Sequence, residues 1–580
     1  MTINSRWEIP IPRCSLQQWV FDSSRGPLPD RKVFIDADRP ETHYLTLEDH
    51  RLLSKRIALG LQDAGLRNGD RVLLYSGNNV YFPSIFLGIL MAGGVFTGAN
   101  PGFTARELAY QLQDSAASFM LAAEGSLDTA LDAAQEVGLP RQRVYIFDST
   151  SNPRGDEPLP GHQGERNGSK HWTQLLSGNR PRAAQWDWLE PADPDNTTCC
   201  LNYSSGTTGV PKGVEISHRS YVANGTQVVH VGGDNPEVIA LRARAKGLCF
   251  LPMYHAYAQT YFVANFTRMG IPVFVMPQFN FEKMLQHIQR FKITSLTCVP
   301  PIVVALAKHP LTKRYDLSSI ESLGCGAAPL AAEVGTEVEK LFPERDVIVR
   351  QGWGMTEVTC TCMSWDPTPS HLPEARSSGG VGELMPNCSA RIMELDGETE
   401  ILESNKPGEL WVTGPTLMRG YWRKPKATQE TTSVDTDGTR WLKTGDIAYV
   451  EDYGPGAIFH IVDRLKELIK VKGHQVAPAE LEAVLLERPD VADVAVVGVT
   501  IKGQELPRAY IVRVAGAAAS EREISKWIEG KVARYKQLRG GVSFIDCIPK
   551  NPSGKILRKL LRERAQQEVG DRRPPESRLA

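Results

Sequence analysis

Two hydrophobic periodicities alternate along the first part of the chain. Short apolar runs at residues 71–75, 273–276 and 347–349 predict buried strands. Between these runs, residues 47–61 and 281–291 carry apolar side chains at helical spacing and predict amphipathic helices. Strands that alternate with helices in this way are typical of α/β layers built on a largely parallel sheet. We therefore predict an α/β fold for this part of the chain.

The pattern changes twice towards the C-terminus. Residues 408–450 consist of short strands and turns, which predicts a β-rich subdomain. The compact α+β elements predicted after Asp463 are a hairpin-like segment, a helix, a strand and a second helix, at 469–473, 478–486, 491–499 and 521–532. We therefore predict a large N-terminal domain of layered α/β subdomains plus a β-rich subdomain over residues 1–463. A small α+β C-terminal domain over 467–565 and a flexible tail over 566–580 complete the predicted organisation.

No segment predicts a membrane span or a secretory signal. The most apolar stretch, residues 81–99, contains four glycines and falls short of the roughly 20 apolar residues of a spanning helix. It predicts a buried helix followed by a strand or loop, and the N-terminus lacks the apolar region of a signal peptide. Ser577, Arg578 and Leu579 resemble a peroxisomal address, but Ala580 follows them and such addresses end at the free carboxylate. We therefore expect a cytoplasmic protein.

Composition and charge exclude a few classes of protein. The chain has 580 residues, with 66 Lys or Arg against 67 Asp or Glu and a formal net charge of -1. This balance argues against a basic surface that binds nucleic acid. With 41% hydrophobic and 23% charged residues, the chain is typical of soluble globular proteins and is not mainly disordered. Its ten cysteines form no CxxC pair, which indicates buried free thiols in a reducing compartment rather than a structural zinc site.

The strongest local signal is the ten-residue string SSGTTGVPKG at residues 204–213. Its glycines let backbone N–H groups face an anion, its hydroxyls add donors, and Lys212 adds a positive charge. The string is not a Walker A loop, because Lys212 follows Pro211 and Gly213 stands where Ser or Thr would hold magnesium. A short Ser/Thr/Gly segment alone is more often an ordinary turn. The complete string favours a loop that binds a polyphosphate.

Five further motifs follow this loop in order. They read GCGAAPLA, QGWGMTE, WLKTGD, IVDRLKELIKVKGHQVAPAELE and PKNPSGKILRK, at 324–331, 351–357, 441–446, 461–482 and 549–559. Together with the loop they resemble the signature motifs of the adenylate-forming superfamily. The segments LPMYHAYAQ and KGHQVAPAELE are similar to those of its 4-coumarate–CoA ligase-like branch. The resemblance, from about Thr46 to Lys559, implies that ATP converts a carboxylic acid to acyl-AMP and that CoA then displaces AMP to form a thioester.

The resemblance implies a nucleotide site assembled from most of these motifs. Its residues are Ser204, Ser205, Gly206, Thr207, Thr208, Lys212, Ala327, Gln351, Gly352, Trp353, Thr356, Asp446 and Arg464. By the same resemblance, Trp353 offers its ring to adenine and Asp446 accepts from a ribose hydroxyl. Glu357 resembles the carboxylate that binds Mg²⁺, a hard cation suited to oxygen ligands. Core packing for Trp353 and a turn cap for Asp446 are the structural alternatives.

Lys555, His255 and Thr208 are the predicted catalytic residues. Lys555 follows a Pro/Ser/Gly loop, and the resemblance implies that it bridges the carboxylate and α-phosphate oxygens as negative charge accumulates. His255 resembles the family's histidine near the acyl carboxylate, a gate or an orienting group, and a hydrogen-bonded structural histidine is the alternative. Thr208 belongs to the phosphate loop. Without the resemblance, Lys555 would be interpreted as a solvated lysine beside Arg558 and Lys559.

The resemblance also implies that the small C-terminal domain is mobile. In this family the domain rotates after the first half-reaction, with Lys466 at the matching hinge position, and withdraws Lys555 from the site. The face that it would then present to CoA contains Lys470, Lys472, Gly473 and Gln475. Because Gly473 has no side chain, a pantetheine arm could pass close to the backbone there.

Three residues fall where coumarate ligases contact the acyl group: Tyr257, Tyr261 and Gly324. Tyr261 replaces a smaller polar residue of the plant enzymes, and Gly324 stands where several of them carry lysine. Gln278 replaces a lysine associated with CoA. These departures argue against assuming a hydroxycinnamate, so an aryl, an aliphatic or a polyketide-derived acid stays open.

Several functions are compatible with the motifs. The leading hypothesis is an acyl- or aryl-CoA ligase that uses ATP, Mg²⁺, CoA and a small carboxylic acid, without nucleic acid as a partner. The alternative is a stand-alone adenylating enzyme that loads a carrier protein in trans, although no fused carrier domain is visible. A luciferase-like oxygenase shares the motifs. A nucleotide-binding scaffold without turnover is disfavoured by the presence of Lys212, Glu357 and Lys555.

Overall fold

The computed structural model describes residues 2–150, 152–153, 166–204, 210–343, 347–367, 379–471, 474–552 and 554–570. The helices are α1 Leu16–Phe21, α2 Leu47–Asp63, α3 Phe82–Met91, α4 Ala105–Ser115, α5 Leu127–Val137, α6 Arg180–Gln185, α7 His218–His230, α8 Pro236–Arg244, α9 Ala256–Ala258, α10 Phe266–Met269, α11 Phe281–Phe291, α12 Pro300–Lys308, α13 Ala332–Glu339, α14 Pro425–Thr431, α15 Pro478–Leu486, α16 Glu521–Glu529 and α17 Arg558–Glu568. The strands are β1 Ile3–Asn4, β2 Lys32–Asp36, β3 Tyr44–Thr46, β4 Arg71–Tyr75, β5 Val95–Ala99, β6 Ala117–Ala123, β7 Val144–Phe147, β8 Lys170–His171, β9 Thr198–Ser204, β10 Lys212–Ser217, β11 Gly247–Cys249, β12 Val273–Val275, β13 Ser295–Cys298, β14 Ser322–Cys325, β15 Val349–Gln351, β16 Trp353–Gly354, β17 Thr361–Ser364, β18 Glu383–Leu384, β19 Ser389–Met393, β20 Gly408–Thr413, β21 Gly420–Tyr421, β22 Thr432–Val434, β23 Arg440–Val450, β24 Phe459–Arg464, β25 Ile469–Val471, β26 His474–Val476, β27 Val491–Ile501, β28 Gln504–Arg513 and β29 Val542–Phe544.

The first layered unit is a sheet with the strand order β21-β10-β9-β5-β4-β6-β7-β8. Six strands, β9, β5, β4, β6, β7 and β8, run parallel to one another. β10 and β21 add an antiparallel edge next to β9. β4 is apolar on both faces because both are covered. Val72 and Leu74 pack into the main core with α2 and α3, whereas Leu73 and Tyr75 pack with α4 and α5. β4 therefore has the bounds that its continuous apolar run predicts.

The second layered unit is a sheet with the order β15-β14-β13-β11-β12-β2-β3. Its pairs are parallel except for β2 with β3, so the carboxyl ends of β11, β13, β14 and β15 meet at one edge. Ligands of open α/β sheets bind beyond such carboxyl ends. On β13 and β14, Leu296 and Leu323 are buried in the core. Because side chains alternate along a strand, the residues before and after each leucine face the opposite side of the sheet.

The β-rich subdomain has the strand order β1-β19-β20-β23-β22, with β24 paired to β23. All of its pairs are antiparallel. It contains β20, β22 and β23 of the predicted segment 408–450, together with two strands that the sequence pattern did not reveal, β1 and β19. The prediction was wrong for β21 of the same segment, because β21 pairs with β10 at the edge of the first sheet. Asp446 on β23 pairs with Arg464 on β24. This pair brings the end of the β-rich subdomain to the start of the C-terminal domain.

The C-terminal domain has hydrophobic clusters of its own. Strands β27, β28 and β29 form a sheet, and β25 and β26 form the predicted hairpin. Apolar residues of α15 and α16 pack on one side of the sheet, and those of α17 pack on the other. The mixed α/β class, with a large N-terminal and a small C-terminal part, is confirmed.

Several predicted boundaries differ from the structure by one or more residues, and three of the differences have a clear physical reason. The strand predicted at 347–349 lies at Val349–Gln351, where it pairs in register with β14. The helix predicted at 521–532 ends at Glu529, before Gly530. Helix α17 runs to Glu568 and therefore extends into the predicted flexible tail, because Glu568 accepts hydrogen bonds from Arg508 and Tyr510 at 2.6 and 3.0 Å. Residues 571–580, including the tripeptide that resembles a peroxisomal address, lie outside the described residues.

A few contacts join the C-terminal domain to the rest of the chain, which we call the body. Lys308, the last residue of α12, donates to the carbonyls of Leu486 and Val491 at 2.8 Å each. Gly554 fits against the start of α12, where a Cβ would lie 3.1 Å from Val299 and 3.2 Å from Pro301. These contacts hold one particular orientation of the C-terminal domain.

Two predictions about the chain as a whole can be compared with the structure. Among the residues described, no helix combines the length and the apolar character needed to cross a membrane. All ten cysteines are described and all are free thiols, eight of them buried. The expectation of buried free thiols therefore agrees with the structure for most of the cysteines.

Candidate active site

A cavity of about 550 Å³ lies on the face of the second sheet. We call its part at the carboxyl ends of the strands the reaction end, lined by His255, Ala327, Gly352, Trp353, Thr356 and Lys555. Thus residues predicted for adenine, phosphate, acyl group and catalysis line one space. Lys555 comes from the C-terminal domain and the other five come from the body.

Lys555 is held by a short turn whose backbone is fixed at both ends. Asn551 N donates to the Lys555 carbonyl, and Lys555 N donates to Asn551 Oδ1, each at 2.9 Å. Gly554 has a φ of 81°, a conformation that L side chains rarely adopt, so a glycine is required just before the lysine. The turn directs the Lys555 side chain into the cavity.

The electrostatic environment of Lys555 joins it to residues of the body. Burial, and after it the positive charge of Arg464, lower the pKa of Lys555 to about 8. The carboxylates of Asp446 and Glu357 oppose this shift. Lys555 therefore lies within the electrostatic reach of the predicted ribose and magnesium residues, as the predicted first half-reaction requires.

His255 is the N-cap of the short helix α9. Its Nδ1 accepts the Tyr257 N–H at 3.3 Å, so a neutral ring carries its proton on Nε2. Burial, with a smaller contribution from Lys555, lowers the pKa of His255 to about 4. At neutral pH the imidazole is therefore uncharged and can donate a hydrogen bond beside Lys555. Both the structural and the functional interpretation are compatible with this geometry, because the cap uses only one ring nitrogen.

Asp446 holds the indole of Trp353. Trp353 Nε1 donates to Asp446 Oδ2 at 2.8 Å, and Arg464 Nε lies 3.4 Å from Asp446 Oδ1. Asp446 is buried, so the partners offset the cost of burying its charge. Each carboxylate oxygen can accept more than one hydrogen bond, which leaves capacity for a ribose hydroxyl. The three residues from different motifs are therefore joined at the reaction end by one hydrogen bond and one ion pair.

Glu357 is buried where the ends of the phosphate loop meet β21. Ser204 Oγ and Tyr421 OH donate to its Oε1 at 3.2 and 2.9 Å, which leaves Oε2 able to accept from another ligand. Lys212 pairs with Ser204 across β9 and β10, and its Nζ lies 4.7 Å from the centre of the Tyr421 ring. Thr359, two residues after Glu357, has a φ of 68°, a strained conformation of the kind found at functional sites.

Gln351 supports the loop after β14. Its side-chain amide accepts from Leu330 N at 2.9 Å and donates to Leu330 O at 3.0 Å. Ala327, in the same loop, has a φ of 76° and lines the cavity. The Gln351 amide therefore shapes the loop of the predicted adenine side, whereas Ala327 and Gly352 border the cavity itself.

The three predicted acyl-site residues also line the cavity. The rings of Tyr257 and Tyr261 meet edge to face with centres 5.3 Å apart, and Thr361 Oγ1 donates to the Tyr261 hydroxyl at 3.3 Å. Burial raises the pKa of Tyr261 to about 12, so both phenols stay neutral. A Cβ on Gly324 would meet nothing within 4 Å. Gly324 therefore leaves space in the cavity that a larger residue would fill.

The remaining site predictions divide into two groups. Ser205, Gly206, Thr207 and Thr208 of the phosphate loop, with Lys472 and Gly473, lie outside the described residues. Lys466, Lys470 and Gln475 are exposed and do not line the cavity in this orientation of the C-terminal domain. Their role towards CoA stays a prediction.

Sequence reasoning missed Tyr421 and Asn551 as supporting residues. Tyr421 reaches Glu357 only because β21 pairs with β10. The signal for Asn551 was present, because Asn residues are typical of turns in which the side chain bonds a nearby backbone group. For Tyr421, the separation along the chain left no comparable signal.

Family models and curated relatives match most of this chain. The family model described as AMP-binding enzyme matches residues 21–422, and that described as AMP-binding enzyme C-terminal domain matches residues 480–555. Phenylacetyl-CoA ligase epaB of Aspergillus niger is 34% identical over 576 residues, which cover 98% of this chain and 100% of that protein. 4-Coumarate–CoA ligase 1 of Petroselinum crispum is 36% identical over 563 residues, with coverages of 96% and 95%. The solved structure of the anthranilate CoA ligase AuaEII in complex with anthranoyl-AMP has the same fold, with a TM-score of 0.80 at 21% identity and coverages of 96% and 98%.

Proposed function

The chain belongs to the AMP-binding enzyme family, and on that premise we propose that it is an AMP-forming acyl-CoA synthetase. A carboxylate oxygen attacks the α-phosphorus of ATP, the bond to pyrophosphate breaks, and acyl-AMP forms. The thiol of CoA then attacks the acyl carbonyl, and AMP leaves. The observation that carries the proposal is the position of Lys555, which extends from a different domain into the cavity that Trp353, Thr356 and His255 line.

The roles that we propose for Lys555, His255 and Asp446 follow from their contacts, and the role of the phosphate loop follows from the resemblance of its sequence. The Lys555 ammonium stabilises negative charge that develops between the carboxylate and the α-phosphate, where a preorganised cation is most effective. The neutral His255 ring orients the carboxylate through its Nε2–H. Asp446, fixed by Trp353 and Arg464, binds the ribose. Lys212 and the hydroxyls of the phosphate loop hold the pyrophosphate that leaves.

The residues that the structure describes fit a bound Mg²⁺ ion. Magnesium usually takes one or two carboxylates together with substrate phosphates and waters, rather than a complete cage of protein ligands. Glu357 supplies one buried carboxylate with a free acceptor oxygen. Among all the residues that the structure describes, no group of three or more His, Cys, Asp or Glu side chains is suited to hold a metal ion. Bound there with the triphosphate, Mg²⁺ would neutralise phosphate charge.

We extend the proposal to the second half-reaction and to the cell. The domain over 467–565 would rotate about Lys466 and turn Lys470, Lys472, Gly473 and Gln475 towards CoA. This rotation would release Lys308 from its two carbonyl partners, which belong to the moving domain. Ten free thiols suit a reducing compartment, and we propose the cytoplasm.

A panel of carboxylic acids tests the proposed function. The full chain is incubated with ATP, Mg²⁺ and aryl, aliphatic or dicarboxylic acids, and pyrophosphate release is measured before and after addition of CoA. We expect pyrophosphate and AMP with at least one acid, and a CoA thioester of the corresponding mass. Release of ADP, or no pyrophosphate with any acid, would contradict the proposal. A phosphopantetheine-loaded carrier protein offered instead of CoA tests the alternative acceptor. If the carrier were acylated and CoA were not, the acceptor in the proposal would be the carrier protein.

A further inference from the structure

We infer that the acid activated by this chain is long and hydrophobic, with no charge at its far end. The inference rests on the proposed function and concerns the part of the cavity beyond Gly324. We call this part the distal lobe and define it by Val228, Val231, Val238, Leu241, Ser295 and Ser322, all of which line the cavity.

The cavity extends along the whole length of β14 in the second sheet. At the reaction end it is lined by Gly326 and Gly352, which follow β14 and β15. At the other end it is lined by Thr294 and Glu321, which precede β13 and β14. The five residue steps from Glu321 to Gly326 along an extended strand span about 17 Å. An acyl group that fills this length is longer than a coumaroyl group.

The floor of the distal lobe is made of small side chains. In the parallel pair of β13 and β14, Ser295 lies opposite Ser322 and Thr297 lies opposite Gly324. These four residues share the cavity face because the leucines between them are buried in the core on the other face. The same strands with large residues at these positions would have no lobe. The sequence of the two strands, SLTC and SLGC, therefore encodes the depth of the cavity.

The roof of the distal lobe is aliphatic and is formed without a ligand. Val228 lies in the last turn of α7 and Val231 directly follows this helix, whereas Val238 and Leu241 come from α8. Arg242 fixes the two helices to each other, because its guanidinium donates to the carbonyls of Val229 and Val231 at 2.7 and 2.8 Å. A hydrocarbon chain entering this space would be desolvated against branched apolar side chains, which favours binding in proportion to the area buried.

The charges around the lobe do not favour a second carboxylate at its far end. Arg244, which precedes β11, pairs with Glu321 with an Nε–Oε2 distance of 2.9 Å, so the two charges at that end offset each other. Arg242 is committed to the carbonyls of α7. Arg350 also lines the cavity, but it lies beside Gly324 in register, midway along the strands, and donates to the Pro367 carbonyl at 3.4 Å. The far end therefore fits a terminal methyl group better than a carboxylate.

Three acids tested on the unmodified chain decide the inference. The kcat/KM for pyrophosphate release is measured with dodecanoic acid, with dodecanedioic acid of the same length, and with 4-coumaric acid. We expect dodecanoic acid to exceed each of the other two by about tenfold or more, the scale of selectivity that a few buried methylenes provide. Preference for 4-coumaric acid, or equal use of the two twelve-carbon acids, would overturn the inference while leaving the proposed function intact. Absence of pyrophosphate release with every acid would instead contradict the proposed function.

The variant Ser322→Leu locates the selectivity in the distal lobe. It places a branched side chain on the floor, and we expect the ratio of kcat/KM for dodecanoic over 4-coumaric acid to fall about tenfold. Ser318→Leu is the matched control, since Ser318 is exposed just before β14 and does not line the cavity. An unchanged ratio in a folded Ser322→Leu protein would overturn the assignment. If this variant does not fold, Ser295→Leu, at the residue that pairs with Ser322, tests the same assignment. The three acids on the unmodified chain test the inference independently of either variant.

Discussion

The body and the C-terminal domain contribute to the reaction end in different ways. In the body, distant motifs hold one another, as when Trp353 donates to Asp446 and both Ser204 and Tyr421 donate to Glu357. Among the described residues of the C-terminal domain, Lys555 alone lines the cavity, and it extends from the turn that begins at Asn551. Under the proposed function, the body binds the substrates and the C-terminal domain supplies the lysine for the first half-reaction.

The attachment of the two regions supports this comparison. Arg558, three residues after Lys555, donates to Glu467 at 2.7 Å and to Glu482 through both terminal nitrogens. Glu467 follows β24 at the junction of the two regions. The turn that carries Lys555 is therefore tied to the junction, and a rotation there would move the lysine with it. The predictions below test the two regions separately.

The largest effect is expected for Lys555→Ala. The variant removes the cation that the C-terminal domain supplies to the reaction end, and we expect the rate of pyrophosphate exchange to fall by about 10²–10³. The ATP affinity should change much less, because the binding residues of the body are intact. Lys559→Ala is the control, since Lys559 is exposed and its ion pair with Glu563 is long, with an N–O distance of 4.0 Å. Full pyrophosphate exchange in Lys555→Ala would exclude the role assigned to this lysine.

A smaller loss is expected for Asp446→Asn in the body. The change removes the charge that faces Arg464 at the reaction end, and a charged hydrogen bond of this kind contributes about 1.5–3 kcal/mol. We expect the KM for ATP to rise about tenfold to hundredfold.

The chain supplies a matched control for this variant. Asp435 holds the indole of Trp441 at 3.0 Å and pairs with Arg391 at 2.8 Å, which is the same kind of arrangement outside the cavity. Asp435→Asn should leave the KM for ATP unchanged. An equal rise in both variants would show that the effect reports stability of the β-rich subdomain rather than nucleotide binding.

Loosening the contact between the two regions should have a moderate and selective effect. Lys308→Met removes the bonds to the Leu486 and Val491 carbonyls. We expect the rate of acyl-AMP formation to fall about threefold to tenfold, as for the loss of one or two hydrogen bonds. Thioester formation from supplied acyl-AMP should be maintained or faster. The control is Lys313→Met at a nearby exposed lysine, and equal losses in both half-reactions would contradict an orientation-specific contact.

The smallest effect concerns pH. Because burial lowers the pKa of Lys555 from 10.5 to about 8, the folded protein binds fewer protons than the unfolded chain between these values. Burying the charged form of Lys555 therefore lowers the free energy of unfolding by its full amount below pH 8, and this loss disappears as the pH rises towards 10.5. Lys555→Met should therefore raise the Tm at pH 7, and the difference from the unmodified chain should shrink as the pH approaches 10.5. A constant difference across this range would contradict the lowered pKa.

Most of the fold followed from local patterns, whereas the boundaries of β15 and α17 depended on distant partners. Helices α11 and α15 have the predicted bounds, the second because Pro478 starts it, as proline at the first helical position is favourable. Strand β15 was misplaced by two residues because its register is set by β14 rather than by its own apolar residues. The membership of the adenylate-forming superfamily, recognised from six ordered motifs, is confirmed.

The motifs predicted which residues meet at the reaction end, but not how they support one another. The Trp353–Asp446 hydrogen bond and the lowered pKa of Lys555 depend on residues far apart in the chain. The depth of the distal lobe was equally hidden, because the small residues of β13 and β14 have a meaning only when the two strands are known to be paired in register. Sequence patterns report on local periodicity, whereas these features arise from tertiary contacts.

The central claim is that a carboxylate of the substrate attacks the α-phosphorus of ATP at the reaction end. Its most direct test uses the acid with the fastest pyrophosphate release, labelled with heavy oxygen in both carboxylate positions. The full chain is supplied with this acid, ATP, Mg²⁺ and CoA, and the products are analysed by mass spectrometry. We predict that each AMP carries one heavy oxygen atom from the acid and that the pyrophosphate carries none. Unlabelled AMP formed together with the CoA thioester, or label recovered in pyrophosphate or phosphate, would contradict the claim.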